Sequence, residues 1–280
     1  MKTFSIRFQY NVVKNDIPNC LAEVAKWMNC YFLKINPDKT EILLLYPEAL
    51  KDKVVVQGTF YDGKCIRFSS TVKNVGVWLD EHLNMKTHIN KIVSHCHKLL
   101  KDIGRVRRLL DVKHTEMLVH PVISSRLDYC NSLFYNMSKD NLNKLQKVQN
   151  AAARLISGKR KRESVKATLK ELHWLPVESR ILFKILLIVY KSIKGMCSAN
   201  LRLPYKGHNC RSDDFLMLET FPVKTKYGKR SYGYAGPRLW NALPVEVRMV
   251  ETVEEFKRRV KTILFRDTEG FKRRAFRYEV

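Results

Sequence analysis

Asp213 and Asp214, in "CRSDDFLML", are the only adjacent aspartates in the chain. Paired carboxylates are what nucleotidyl transfer needs, because they hold two divalent ions about 4 Å apart that activate a hydroxyl and stabilise a leaving phosphate. Here Arg211 and Ser212 precede the pair, and the two read as exposed loop aspartates beside arginine. His88, His95, Cys96 and His97 crowd a second region. On a helix His88 and His95 share a face, whereas Cys96 and His97 are turned from it by about 100° and 200°. That arrangement cannot close a tetrahedral metal site without outside ligands, so these residues read as structural or surface groups. Cys130, in "RLDYCNSLF", falls on an apolar helical stripe, where a thiol is normally buried and inert. Lys39, in the turn "INPDKT", could serve as a point charge or an acid, but nothing beside it needs one, and it reads as a solvated turn lysine. No glycine-rich phosphate loop is present. The expectation is a chain without metal, cofactor, small-molecule substrate or catalytic activity of its own.

The charge balance points elsewhere. Against 27 acidic residues stand 52 lysines and arginines, a formal net charge of +25. Such a surplus repels itself unless a polyanion shares the surface, so RNA and DNA are the leading partners. Three segments concentrate it: Lys101, Arg105, Arg107 and Arg108 in "KDIGRVRRLL"; Lys159, Arg160, Lys161, Arg162 and Lys166 in "GKRKRESVK"; and the terminal "FKRRVKTILFRDTEGFKRRAFR". Contacts from such clusters go to phosphates, and the binding they give is salt-sensitive and largely blind to sequence. A solvated cationic face and, for residues 159–162, a nuclear import signal are the other readings. In "KTKYGKRSYGYAG", Tyr227, Tyr232 and Tyr234 interleave with cations. They either stack on bases of a single strand or pack beneath their own loop.

The elements that position these residues change type along the chain. Residues 15–33, with Asn15 and Asp16 as start signals, carry Leu21, Val24, Trp27, Met28 and Tyr31 at helical spacing. "EILLLY", ended by Pro47, reads as a strand, and "KVVVQGTF", "KCIRFSS" and "TVKNVGVWLD" as antiparallel strands or hairpins around Gly58, Gly63 and Gly76. From Met85 the period becomes 3.6, and helices are expected over 85–103, 114–134 with a kink or split at Pro121, 142–156, 165–172 and 177–193. The greasiest run, "ILFKILLIVY", is ten residues long and interrupted by Lys184, too short for a bilayer core that takes about 20 apolar residues. It reads as a buried helix, and no membrane partner is expected. Residues beyond 200 read as loop-rich until "VEEFKRRVKTILF". The fold class expected is α+β, with a small N-terminal α/β part, a mainly α-helical bundle, and a basic, loop-rich C-terminal region closed by a terminal helix. Seven scattered cysteines with no C-x-x-C pair, and an N-terminus broken by Arg7 and Gln9, suggest reduced thiols in a nuclear or cytoplasmic protein that is not secreted.

The series "LAEVAKWMNCYFLKINPDKTEILLL", "VKNVGVWLDEHLNMKTHI", "VISSRLDYCNSLFYNM", "LQKVQNAAARLI", "LHWLPVESRILFKILLIVYKSIKG" and "GPRLWNALP" resembles, block by block and in order, the C-terminal part of reverse transcriptases encoded by LINE-type non-LTR retrotransposons. The resemblance covers about residues 20 to 265. It implies that residues 1–46 are the end of a polymerase palm and 47–83 a β-rich, primer-grip-like segment. It further implies that 84–200 are a thumb-like helical bundle and 201–280 the basic region beyond it. Val75, Gly76, Val77 and Trp78 match the strand segment that grips the primer end, with Val75 where the family commonly has leucine. Lys39 matches a palm lysine that assists the departing pyrophosphate. The family's metal-binding aspartates, one on an early palm strand and two in an aromatic-x-Asp-Asp hairpin, have no counterpart here; magnesium would be required only by the full-length parent polymerase. The resemblance therefore implies a truncated retrotransposon product that holds primer-template without polymerising. The alternative is a host-adopted basic nucleic-acid-binding or scaffold protein derived from such an element.

Overall fold

The computed structural model describes residues 16–48, 58–61, 63–206 and 216–276. The fold is α+β, mainly helical, with two small antiparallel sheets of two strands each. Two compact units divide the chain after His88.

In the first unit, helix α1 (Ile17–Asn29) has Pro18 in its first turn, where the missing N–H costs nothing. It is followed by a 3-10 turn at Pro37–Lys39. The Asn36 side chain accepts from the Asp38 N–H, and Asp38 pairs with Lys64 at 3.1 Å, tying this turn to the first hairpin. That hairpin joins β1 (Gly58–Tyr61) to β2 (Lys64–Arg67), and its buried Thr59 and Ile66 face each other across the ladder. A second hairpin joins β3 (Thr71–Asn74) to β4 (Val77–Asp80). Residues 41–46 do not form the expected strand. They make one isolated parallel bridge, Ile42 to Phe68, and Tyr46 donates to the Glu81 carbonyl at 3.1 Å, so the segment is extended without a ladder. An apolar run supplies strand propensity, but a ladder needs a neighbour in register.

The second unit begins within α2 (Lys86–Val106), whose buried Ile89, Cys96 and Leu100 keep the expected stripe. Helix α3 (Val112–Val119) is capped by Asp111, and Pro121 then widens the backbone into a π turn, His120–Ser124, before α4 (Ser125–Asp128). Proline has no N–H to give the α ladder, and the widened turn absorbs the gap. The expected helix over 114–134 therefore stops at Asp128. Cys130 is not on a helical stripe: it sits half-buried in the left-handed region (φ 51°) before a 3-10 turn at Asn131–Phe134.

Helix α5 (Lys139–Ser157) starts at a Ser138 cap and ends at Gly158, whose φ of 70° closes it in the left-handed conformation glycine favours. After α6 (Lys166–Glu171) comes α7 (Val177–Ile193), the axis of the core, with Ile181, Leu182, Ile185, Leu186, Val189 and Tyr190 buried. The Gln146 side chain caps α7 by accepting from the Val177 N–H at 2.9 Å, and buried Gln149 donates to the Leu175 carbonyl at 2.8 Å. The region expected to be loop holds two more helices, α8 (Tyr232–Asn241) and α9 (Val245–Arg248), before α10 (Val253–Arg266) and α11 (Thr268–Ala275). Glycine and proline in "YGYAGPRLWN" argue against a helix locally, but burial of Tyr234, Leu239 and Trp240 outweighs about 1 kcal/mol per glycine. Tyr190 stacks on Phe256 at 4.2 Å and donates to the Glu251 carbonyl at 2.6 Å, joining α7 to α10.

Candidate nucleic-acid interface

One basic segment is anchored to the end of the helix that leads into another. Arg107 lies in a 3-10 turn at the end of α2 and donates from Nε to the Leu155 carbonyl at 2.8 Å. One terminal nitrogen donates to the Ile156 carbonyl at 2.9 Å and the other to the Leu110 carbonyl at 2.7 Å. Leu155 and Ile156 are in the last turn of α5, whose carbonyls have no intrahelical partners and carry the negative end of the helix dipole. The guanidinium is a structural clamp, and it sets residues 101–110 against the turn that carries residues 159–162. Around it Lys101, Arg105, Arg108, Arg160, Lys161 and Arg162 are exposed.

Within this surface the sequence-marked residues differ in what they can offer a phosphate. Arg107 is committed to three carbonyls, and Lys159, half-buried, donates to the Thr168 hydroxyl at 2.8 Å. Neither is a free cation. Arg105 pairs with Asp102 at 3.2 Å, but both side chains are largely solvated, and such a pair holds by only about 0–1 kcal/mol, so a phosphate can displace it. Glu163 turns back to accept the Arg160 N–H at 2.9 Å and leaves that guanidinium outward. One cation escaped the sequence reading: Lys98 is exposed on α2 at three- and seven-residue spacing from Lys101 and Arg105, and that spacing was the signal.

The C-terminal basic segment is different. Arg258 and Arg259 both bind Glu255, whose carboxyl they hold below the usual carboxylate range, Arg259 first. Lys272 pairs with Glu178 and Glu269. Much of its charge is answered within the fold. The tyrosine-rich segment packs inward: Tyr234 is buried with the Arg238 guanidinium 4.1 Å from its ring, and burial pushes the Tyr232 hydroxyl up to about 12. Tyr234 belongs to the core at α8, and Tyr227 and Tyr232 are half-buried.

In the first unit, Val75 and Gly76 occupy the two central positions of the β3–β4 turn with φ of 45° and 83°. Two positive φ values are the mark of a type I′ turn, which suits the twist of a hairpin but strains a β-branched residue. Val75 projects at the apex, 80% exposed, while Val77 faces inward and Trp78 is half-buried with the Lys73 ammonium 6.0 Å from its ring. The Trp78 N–H donates to Nδ1 of buried His88 at 3.5 Å, and burial holds that imidazole below its ordinary pKa. Lys39 is an exposed turn residue. Asp213, Asp214 and Cys210 lie outside the described residues.

Among the described residues, no group of three or more His, Cys, Asp or Glu is placed to hold a metal ion, and no helix is long and apolar enough to cross a membrane. His95 and His97 are exposed while Cys96 between them is buried, its thiol pushed up to about 11 by burial. Comparisons with protein-family models, curated proteins and solved structures find no match to the chain.

Proposed function

We propose that the chain is a thumb-like, nucleic-acid-holding part of a LINE-type non-LTR retrotransposon reverse transcriptase, binding RNA and DNA through their phosphates and lacking polymerase activity of its own. The observation that carries the reading is the Arg107 clamp, which joins two basic segments into one exposed cationic surface with few local counter-charges. The ordered run of family-like motifs supports it, and so does the net charge of +25. A surface of this kind reads backbone charge rather than base identity.

The test is fluorescence anisotropy with a labelled RNA/DNA primer-template at several salt concentrations, beside primer extension with magnesium and nucleotides. Binding should weaken steeply with salt, and changing Arg160, Lys161 and Arg162 to Ala should lower the log–log slope by up to about 0.9 per lost phosphate contact. Extension should be nil. A folded chain that does not bind at low salt removes the reading, and salt-independent binding removes the phosphate mechanism.

A further inference from the structure

α3, the 128–131 corner, the loop before α7, α7 itself and α10 line a pocket of about 370 Å³, within the range of sites for small organic ligands. One wall is rigid. Arg180 donates to Asp128 Oδ2 at 2.7 Å and to the Leu175 carbonyl at 3.0 Å, with its guanidinium 5.8 Å from the Trp174 ring. Asn131, 3% exposed, donates from Nδ2 to Asp128 Oδ1 at 3.3 Å, and this orientation leaves its own Oδ1 buried with no partner. A buried acceptor without a donor is costly enough to require a reason.

The remaining polar lining is uncommitted. The side chains of Glu116 and Lys184 have no hydrogen bond or ion pair among the described residues, and Lys261 meets only the face of Phe265, at 5.9 Å. Burial, and then the charge of Arg180, hold the Lys261 ammonium below its ordinary pKa, as expected of a cation short of counter-charge. The pocket thus combines lysines lacking an anion with acceptors lacking a donor. A simple anion would answer only the lysines and an apolar molecule neither. A nucleotide with an amino-bearing base answers both.

We propose that this pocket receives one nucleotide unit, with its phosphate at Lys184 and Lys261 and the exocyclic amino group of adenine, cytosine or guanine toward Asn131 Oδ1 and Glu116. This rests on the nucleic-acid reading above and adds to it a place where base identity matters. An exocyclic amino group has two hydrogens for the two acceptors, whereas uracil and thymine offer only the single N3–H, set between two carbonyl oxygens that a carboxylate repels, and are disfavoured.

The experiment is isothermal titration of the full chain with AMP, CMP, UMP and inorganic phosphate, alongside anisotropy of labelled oligo(dA) and oligo(dT) of equal length. AMP and CMP should bind about tenfold more tightly than UMP or phosphate, since losing one hydrogen bond to a buried acceptor is worth about that factor. Binding of AMP identifies a site open to free nucleotides. A preference for oligo(dA) alone, abolished in a Glu116→Gln, Lys184→Gln variant that keeps its unfolding midpoint, identifies a site filled only from a strand. Equal binding of AMP and UMP with no strand preference, or a preference that survives in that variant, overturns the proposal. Primer-template binding separates the two readings: if it persists while base preference is absent, only the pocket assignment falls. If it is absent while AMP binds, the nucleic-acid function falls and the pocket stands as a free-nucleotide site.

Discussion

Arg107 shows how one residue in a basic run differs from its neighbours. Its sequence context, "RVRRLL", does not distinguish it from Arg105 or Arg108, yet it alone satisfies three carbonyls. Arg107→Ala leaves two helix-end carbonyls and a turn carbonyl without a charged donor, and should lower stability by about 2–4 kcal/mol, whereas Arg108→Ala should change it by less than about 0.5 kcal/mol. Urea denaturation of both variants checks the contrast. Cys96 makes a pH-dependent case. Burial raises its thiol from 9.0 to about 11, so the folded chain keeps a proton that the unfolded chain releases. Its contribution is complete below pH 9.0 and is lost as pH rises toward about 11. Cys96→Val removes the titration, so the stability gap between variant and parent should shift in the variant's favour between pH 8.5 and 10.5, read from denaturation midpoints. No shift would show that the thiol is not held neutral by the fold.

Helix α8 is the element where local signals misled. Gly233, Gly236 and Pro237 within ten residues read as loop, and the helix forms because its other face closes the core over α7. The two glycines are not equivalent. A Cβ at Gly236 would lie 3.0 Å from Val189 Cγ2 and 3.2 Å from Leu203 Cδ1, whereas one at Gly233 would meet nothing within 4 Å. Gly236→Val should therefore destabilise by about 1–3 kcal/mol through overpacking, and Gly233→Ala should stabilise by about 0.5 kcal/mol through helix propensity. Thermal melts of the two variants should move in opposite directions. The expected strand at "EILLLY" failed for the converse reason: strong propensity met no partner in register.

At the scale of the whole molecule, the excess of positive charge is distributed unevenly by the fold. Arg258 and Arg259 of the C-terminal helices are answered by Glu255, while Arg108, Arg160 and Arg162 beside the Arg107 clamp are exposed. Composition by itself determined the excess of positive charge, since total charge does not depend on how the chain folds. Periodicity likewise determined α2, α5 and α7, because a 3.6-residue apolar repeat selects a buried face wherever its partner lies. The hairpin over 71–80 was legible too, since its turn and its alternating residues are local. Tertiary structure alone decided which cations face outward and which are clamped, since Arg107 and its α5 acceptors are 48 and 49 residues apart. It also decided that Tyr234 packs inward, and that Glu116, Asn131, Lys184 and Lys261 line one pocket. Such groupings join side chains from separate helices, and a pattern within any one helix carries no information about its neighbours.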